Sequence, residues 1–237
     1  MPPVPISAVL FDMDGLMIDS ERLYTECTNA VLAPFGKTLT WEVKATLMGK
    51  PAPTAARALI DATGIPLTVD ELLERNDALL EEAFRKVEPL PGVVRLVQHL
   101  EKHKVPMAIA TGSKKKNFLI KSGHLQHLFG PFSTNILCGD DPILEGKGKP
   151  DPTIFIKAAE MLGIDTPEER AKVLVFEDGV SGVQAARAAG MEVVWIPDPE
   201  LVNTLGSEHD LNPSHQHGSM AEFDPAAWGL PPYDDEE

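Results

Sequence analysis

The chain has only two cysteines, Cys27 and Cys138, which stand far apart and match no metal-binding or redox spacing. Inert thiols in a reducing intracellular compartment are expected, and a zinc centre is not. No apolar run approaches the roughly 18 residues that a membrane helix needs. The opening Met1-Pro2-Pro3-Val4-Pro5 has no basic segment followed by an apolar one, so a signal peptide is not expected either. Positive charge is scarce: 21 Lys and Arg stand against 36 Asp and Glu, for a formal net charge of -15. That balance opposes nucleic acids and anionic membrane surfaces, so any phosphate-handling site must supply its own local cations. A cytoplasmic protein is the expectation.

The 237 residues, 43% of them hydrophobic, suffice for one large core or for a core plus a small second domain. Val9-Leu10-Phe11-Asp12-Met13-Asp14-Gly15-Leu16 reads as a buried strand entering a tight turn, with two carboxylates at its exit. Residues two apart in an extended chain project to the same side, so Asp12 and Asp14 can act together, one to attack and one to move a proton. A solvated Asp-x-Asp-Gly turn is the alternative for that tetrapeptide alone.

Helical spacing follows from Ser20 to about Phe35 and again over 40–47, 54–62 and 69–87, with no strand between. A helical subdomain over 18–88 is therefore predicted, inserted into a core formed by 1–17 and 89–237. Glu88-Pro89-Leu90-Pro91-Gly92 marks the return and one half of a hinge. Beyond it, helices at 93–103, 114–122, 153–162 and 180–189 alternate with strands at 106–110, 135–138, 173–176 and 192–196. That alternation predicts an α/β fold with a mostly parallel sheet and ligands beyond the carboxyl ends of its strands. The Pro-, His- and acid-rich tail after Pro197 reads as loop, with Phe223, Trp228 and Leu230 able to dock. His209, His215 and His217 are too irregularly spaced to be given a metal role.

Three further segments carry polar residues at strand ends. Thr111-Gly112-Ser113 opens a helix, where N–H groups and a hydroxyl suit an anion or simply cap the helix. Lys114, Lys115 and Lys116 crowd its first turn, as anion attraction or as a solvated face. Lys149 sits in Gly146-Lys147-Gly148-Lys149-Pro150, where it is either solvated or neutralises both a phosphate and a nucleophile. That run lacks the spacing of a phosphate-binding P-loop. Val173-Leu174-Val175-Phe176-Glu177-Asp178 delivers two more carboxylates, completing an oxygen-only site suited to Mg2+.

At these residues the sequence resembles the haloacid dehalogenase superfamily: Asp12-Met13-Asp14-Gly15, Thr111, Lys149 and Glu177-Asp178 stand in the order of its four motifs. The helical insertion resembles the small cap of the branch that holds phosphoglucomutases and phosphoglycolate phosphatases. Phe11-Asp12-Met13-Asp14-Gly15-Leu16, Gly148-Lys149-Pro150-Asp151-Pro152 and the ending Gly229-Leu230-Pro231-Pro232-Tyr233 are similar to those of eukaryotic pseudouridine-5'-phosphatases. The resemblance implies a Rossmann-like core with an all-helical cap and a Mg2+-dependent phosphatase forming an aspartyl-phosphate on a small phosphorylated metabolite, possible substrates including pseudouridine 5'-phosphate. It implies Asp12 as nucleophile and Asp14 as acid and base. Thr111, Gly112, Ser113 and Lys149 would bind phosphate. Asp12, Asp178 and the Asp14 carbonyl would bind metal, with Glu177 behind them, and Tyr24 and Lys50 would read the leaving group. A monomer is expected. The alternatives are a sugar or polyol phosphatase and a sugar phosphomutase of the β-phosphoglucomutase type.

Overall fold

Apolar runs rich in Val, Ile, Leu and Phe, too short for helices, form the centre of the fold. In the computed structural model, which describes residues 5–47, 52–205 and 210–234, five of them and a short polar strand from the tail build one parallel sheet of six strands. Strands β1 (Ala8–Phe11), β2 (Met107–Thr111), β3 (Ile136–Cys138), β4 (Val173–Glu177), β5 (Glu192–Trp195) and β6 (His215–Gln216) lie in the order β3-β2-β1-β4-β5-β6. β1 is wholly buried and pairs on both sides, with Phe11 opposite Ile109 of β2 and Phe176 of β4. The chain departs from β1 first toward β2 and β3 and later toward β4 and β5. The strand order therefore reverses between β1 and β4, where an open α/β sheet forms a crevice at its carboxyl edge.

Period-two alternation splits the strand residues between two apolar layers, as a sheet covered on both faces requires. Val9, Phe11, Ile109, Leu174 and Phe176 face one layer, and Leu10, Ala108, Ala110, Val173 and Val175 face the other. Helix α5 (Val93–Lys102) covers the first through Leu96, Val97 and Leu100, and α8 (Thr153–Met161) and α10 (Val180–Ala188) cover the second.

Between β1 and α5 stand α1 (Ser20–Leu32), α2 (Trp41–Leu47), α3 (Ala52–Thr63) and α4 (Val69–Phe84). They share a small core of their own, including Val31, Leu32, Leu59, Ile60 and Leu72. Thr68 and Glu71 cap α4 reciprocally: Thr68 Oγ1 accepts from Glu71 N–H at 3.2 Å and Glu71 Oε2 accepts from Thr68 N–H at 2.8 Å. The two linkers of this helical layer run side by side, with Asp19 N–H donating to Glu88 O at 2.9 Å and Leu90 N–H to Met17 O at 3.0 Å.

The helices and strands expected beyond Gly92 are present within one or two residues of their expected ends, and α6 (Lys115–Ser122) follows β2. Short helices α7 (Gln126–Phe129), α9 (Pro167–Arg170) and α11 (Pro199–Leu205) occupy segments read as connections. The tail is more ordered than a loop: its β6 extends the sheet beside β5, and Phe223 and Leu230 are buried. Trp228 is half-buried against the same core. His99 of α5 bonds the Pro231 carbonyl at 2.9 Å, and the Arg95 guanidinium lies 4.0 Å from the Tyr233 ring centre. Among the described residues no helix is long and apolar enough to cross a membrane.

Candidate active site

The carboxyl ends of β1, β2 and β4 lie in register, so the first polar residues beyond them meet in the crevice. Asp12 leaves β1 with its N–H still bonded to Phe176 O at 3.0 Å. The chain then turns at Gly15, where φ is +78° and a Cβ would run into the Asp178 carboxylate. Only glycine meets both conditions, and its absent side chain is what lets the β1 and β4 loops touch.

Lys149, from the loop before α8, reaches between the same strands. Its Nζ lies 2.5 Å from Asp12 Oδ1 and 2.6 Å from Glu177 Oε1. The second Glu177 oxygen accepts from Gly179 N–H at 3.0 Å. Glu177 is buried, and Gly182 of α10 leaves its carboxylate room that a Cβ would fill. Glu177 therefore orients Lys149 directly, a contact that the sequence reading of Glu177 as a residue behind the metal did not include.

Burial raises the Asp12 carboxyl, Lys149 opposes that, and Glu177 and Asp14 add to it, so its pKa is pushed up to about 7. Burial, with Glu177 and Asp12 as neighbours, holds Asp178 well above the usual carboxylate range. Burial works against the charged form of Lys149, but Asp12 and Glu177 outweigh it and hold the amine protonated. Asp12, Glu177 and Asp178 each offer an oxygen within 4.8 Å of the others'. Three hard oxygen donors gathered in so buried a place, two of which, Asp12 and Asp178, resist ionisation because of that burial, fit a small divalent cation such as Mg2+.

Asp14 faces a different set of groups. Its Oδ1 lies 2.5 Å from Lys121 Nζ, and its Oδ2 accepts from Ser113 Oγ at 2.7 Å and Thr111 Oγ1 at 3.4 Å. Burial raises the Asp14 carboxyl, yet Lys121 outweighs it and the net shift is downward. The two Asp residues of one turn thus titrate in opposite directions, a division of environment that suits different roles. Gly112 lies between Thr111 and Ser113 with no atom within 4 Å of where its Cβ would be, leaving that turn open to a ligand.

Lys121 was not anticipated. Its side chain is completely buried, at 0% exposure, although the helix spacing of Phe118 and Lys121 places it where an apolar residue would be expected. That misplaced charge was the available signal. Tyr24 of α1 directs its hydroxyl to Lys121 Nζ at 3.2 Å. Lys50 lies outside the described residues. Lys116 pairs with Glu81 of α4 at 3.2 Å, an exposed tie between α6 of the core and the helical layer.

A cleft of about 550 Å³ opens from this crevice toward the helical layer, lined among others by Gly15, Asp178, Arg22, Trp41, Lys44 and Asp198. Lys44 lies 3.2 Å from Glu21 Oε2 and 3.1 Å from Thr25 Oγ1. Gly15 and Asp178 bring this cleft to the edge of the carboxylate crevice, and its walls mix charged side chains with apolar ones such as Leu16, Trp41 and Ile196.

The family model for haloacid dehalogenase-like hydrolases matches residues 6–190. A probable pseudouridine-5'-phosphatase of Saccharomyces cerevisiae is 43% identical over 88% of this chain and 90% of its own length. (DL)-glycerol-3-phosphatase 2 of Arabidopsis thaliana is 40% identical over 97% of this chain and 94% of its own. Among solved structures, a haloacid dehalogenase family hydrolase of Deinococcus radiodurans with bound phosphate and sodium superposes with a TM-score of 0.76. It is 26% identical and covers 96% of this chain and 99% of its own.

Proposed function

The chain belongs to the haloacid dehalogenase-like hydrolases and is a phosphoric monoester hydrolase, and from that premise we propose that it cleaves its substrate through an aspartyl-phosphate on Asp12. The observation that carries this reading is the opposed environments of Asp12 and Asp14 at one strand end, the first held by Lys149 and the second by Lys121. An Asp12 oxygen attacks phosphorus in line, the bond to the leaving alcohol breaks, and the departing oxygen takes a proton from Asp14. Water then attacks phosphorus as Asp14 removes its proton, the bond to Asp12 breaks, and inorganic phosphate leaves. Asp14 meets both demands within one cycle: ionised beside Lys121 it is the base, and the proton it gains is the one the next leaving group takes.

Lys149 and the turn Thr111-Gly112-Ser113 hold the transferring oxygens, where their charge and N–H groups count most as negative charge develops. Glu177 keeps Lys149 aimed. Asp12, Asp178 and the Asp14 carbonyl would hold Mg2+, which would offset the repulsion between nucleophile and phosphate when bound. Residues 18–88 act as a cap over the core of 1–17 and 89–237, their paired linkers serving as the hinge.

The substrate class is small phosphorylated sugars and nucleosides, and the charged Arg22, Lys44 and Asp198 among the apolar walls of the cleft beside Asp178 support a polyhydroxylated leaving group. We favour pseudouridine 5'-phosphate, supported by the 43% identity to the yeast relative; a glycerol phosphate is the second reading, supported by the 40% identity to the Arabidopsis enzyme. A phosphomutase is disfavoured because mutases of the branch it resembles carry a histidine early in the first cap helix, and α1 has none. Phosphate release with Mg2+ across nucleoside, sugar, polyol and glycolate phosphates tests the assignment. A preference of ~100-fold in kcat/KM, about 2.7 kcal/mol of differential transition-state binding, is expected for one nucleoside or sugar ester. Activity on none of the panel contradicts it.

A further inference from the structure

The mechanism proposed above uses Lys121 only as the cation beside Asp14, yet its ammonium is the most completely enclosed charge near the site. Its Nζ touches four groups from four segments of the fold: Asp14 Oδ1 at 2.5 Å, Ser113 Oγ at 3.0 Å, the Tyr24 hydroxyl of α1 at 3.2 Å, and the face of Phe84 of α4, 4.2 Å from the ring centre. Tyr24 and Phe84 pack edge to face, their centroids 5.4 Å apart, which closes the apolar wall around it. A bare ammonium is not retained in such a place without a partner, and the charged partner here is Asp14. Ser113 bridges the pair, donating to Asp14 while accepting from Lys121, so that both Asp14 oxygens are fixed.

We propose that Lys121 is a positioning residue that locks the Asp14 carboxylate, against the walls of α1 and α4, in the orientation from which it activates water to hydrolyse the aspartyl-phosphate. The inference rests on the mechanism proposed above. An orientation error of about 1 Å at a reacting group can cost ~10²-fold in rate. Removal of Lys121 should therefore slow the second step while leaving the attack of Asp12 on a good leaving group largely intact. Because α1 and α4 contribute to the same pocket, the setting of Asp14 is also tied to the position of the helical layer.

The test is pre-steady-state release of 4-nitrophenolate from 4-nitrophenyl phosphate with Mg2+, for the full-length wild type, Lys121→Met, Lys121→Arg and Asp14→Asn. Lys121→Met should give a burst approaching one equivalent per enzyme followed by a steady state slowed by ~10²-fold, with kcat and KM falling together. Lys121→Arg keeps the counter-charge that Asp14 needs for folding and moves only the donors. It should show the same burst with about a 10-fold loss in steady-state rate, and it decides the matter if Lys121→Met does not fold. A burst in Asp14→Asn but in neither Lys121 variant overturns the inference and leaves the mechanism standing. Equal losses in kcat and kcat/KM, or kcat within twofold of wild type, overturn it too. No burst even in Asp14→Asn removes the mechanism and the inference together.

Discussion

Asp12 and Asp14 differ by two positions and by the cation each one meets, and that difference sets what each can do. Lys149 reaches Asp12 because Glu177 holds it from behind, and Glu177 has space because residue 182 is glycine. Gly182→Ala tests that chain of contacts: its Cβ would displace the Glu177 carboxylate, costing about 1–3 kcal/mol by overpacking. Thermal unfolding should register that loss, and kcat should fall more than KM rises; a variant with wild-type kcat would separate Glu177 from the setting of Lys149. The sequence made Asp12, Asp14, Thr111, Lys149 and Asp178 visible, since each is a polar residue at the end of an apolar run or within a Gly/Pro loop. Lys121 escaped notice because it lies inside a helix, three residues from Phe118, among other lysines that reach solvent. Its spacing from Phe118 is the one sign in the sequence that it turns inward.

At the scale of elements, the strand ends work because something fixes them from both faces. Phe176, immediately before Glu177, stacks on Phe11 at 5.2 Å and meets Phe223 of the tail edge to face at 4.8 Å. The tail is thus part of the platform under the site. Phe223→Ala should destabilise the protein by about 3–5 kcal/mol, as expected for a buried aromatic, measured by denaturant unfolding. A loss below about 1 kcal/mol would show that the tail merely rests on the core. The period of the helices and the apolar runs of β1, β2, β4 and β5 were legible from the sequence because they bury whole faces. Strand β6 was not, since its exposed His215 and Gln216 join the sheet only through backbone pairing with β5. Where pairing rather than side-chain burial makes the element, composition carries little signal.

For the molecule as a whole, an excess of 15 negative charges surrounds a crevice that concentrates Asp12, Glu177 and Asp178. Asp12, with an ordinary value of 3.8, is raised to about 7 in the folded chain. The folded state therefore holds this proton more tightly than the unfolded one, and that contribution to stability is lost as pH rises from about 4 through about 7. Asp178 shifts in the same direction. A divalent cation must compete with those protons, so the rise in Tm on adding Mg2+ should be larger at about pH 8 than at about pH 5. Equal increments at both values would exclude Asp12 and Asp178 as its ligands. The central claim, covalent transfer to Asp12, is tested most directly by acid quenching of Asp14→Asn during reaction with 4-nitrophenyl phosphate, whose leaving group departs without a proton from Asp14, and Mg2+, followed by mass mapping of the peptide that spans Ala8–Gly15. The account predicts one phosphoryl group on Asp12, absent from Asp12→Asn. An unmodified peptide, or phosphate release by Asp12→Asn at a rate near that of the wild type, would contradict it.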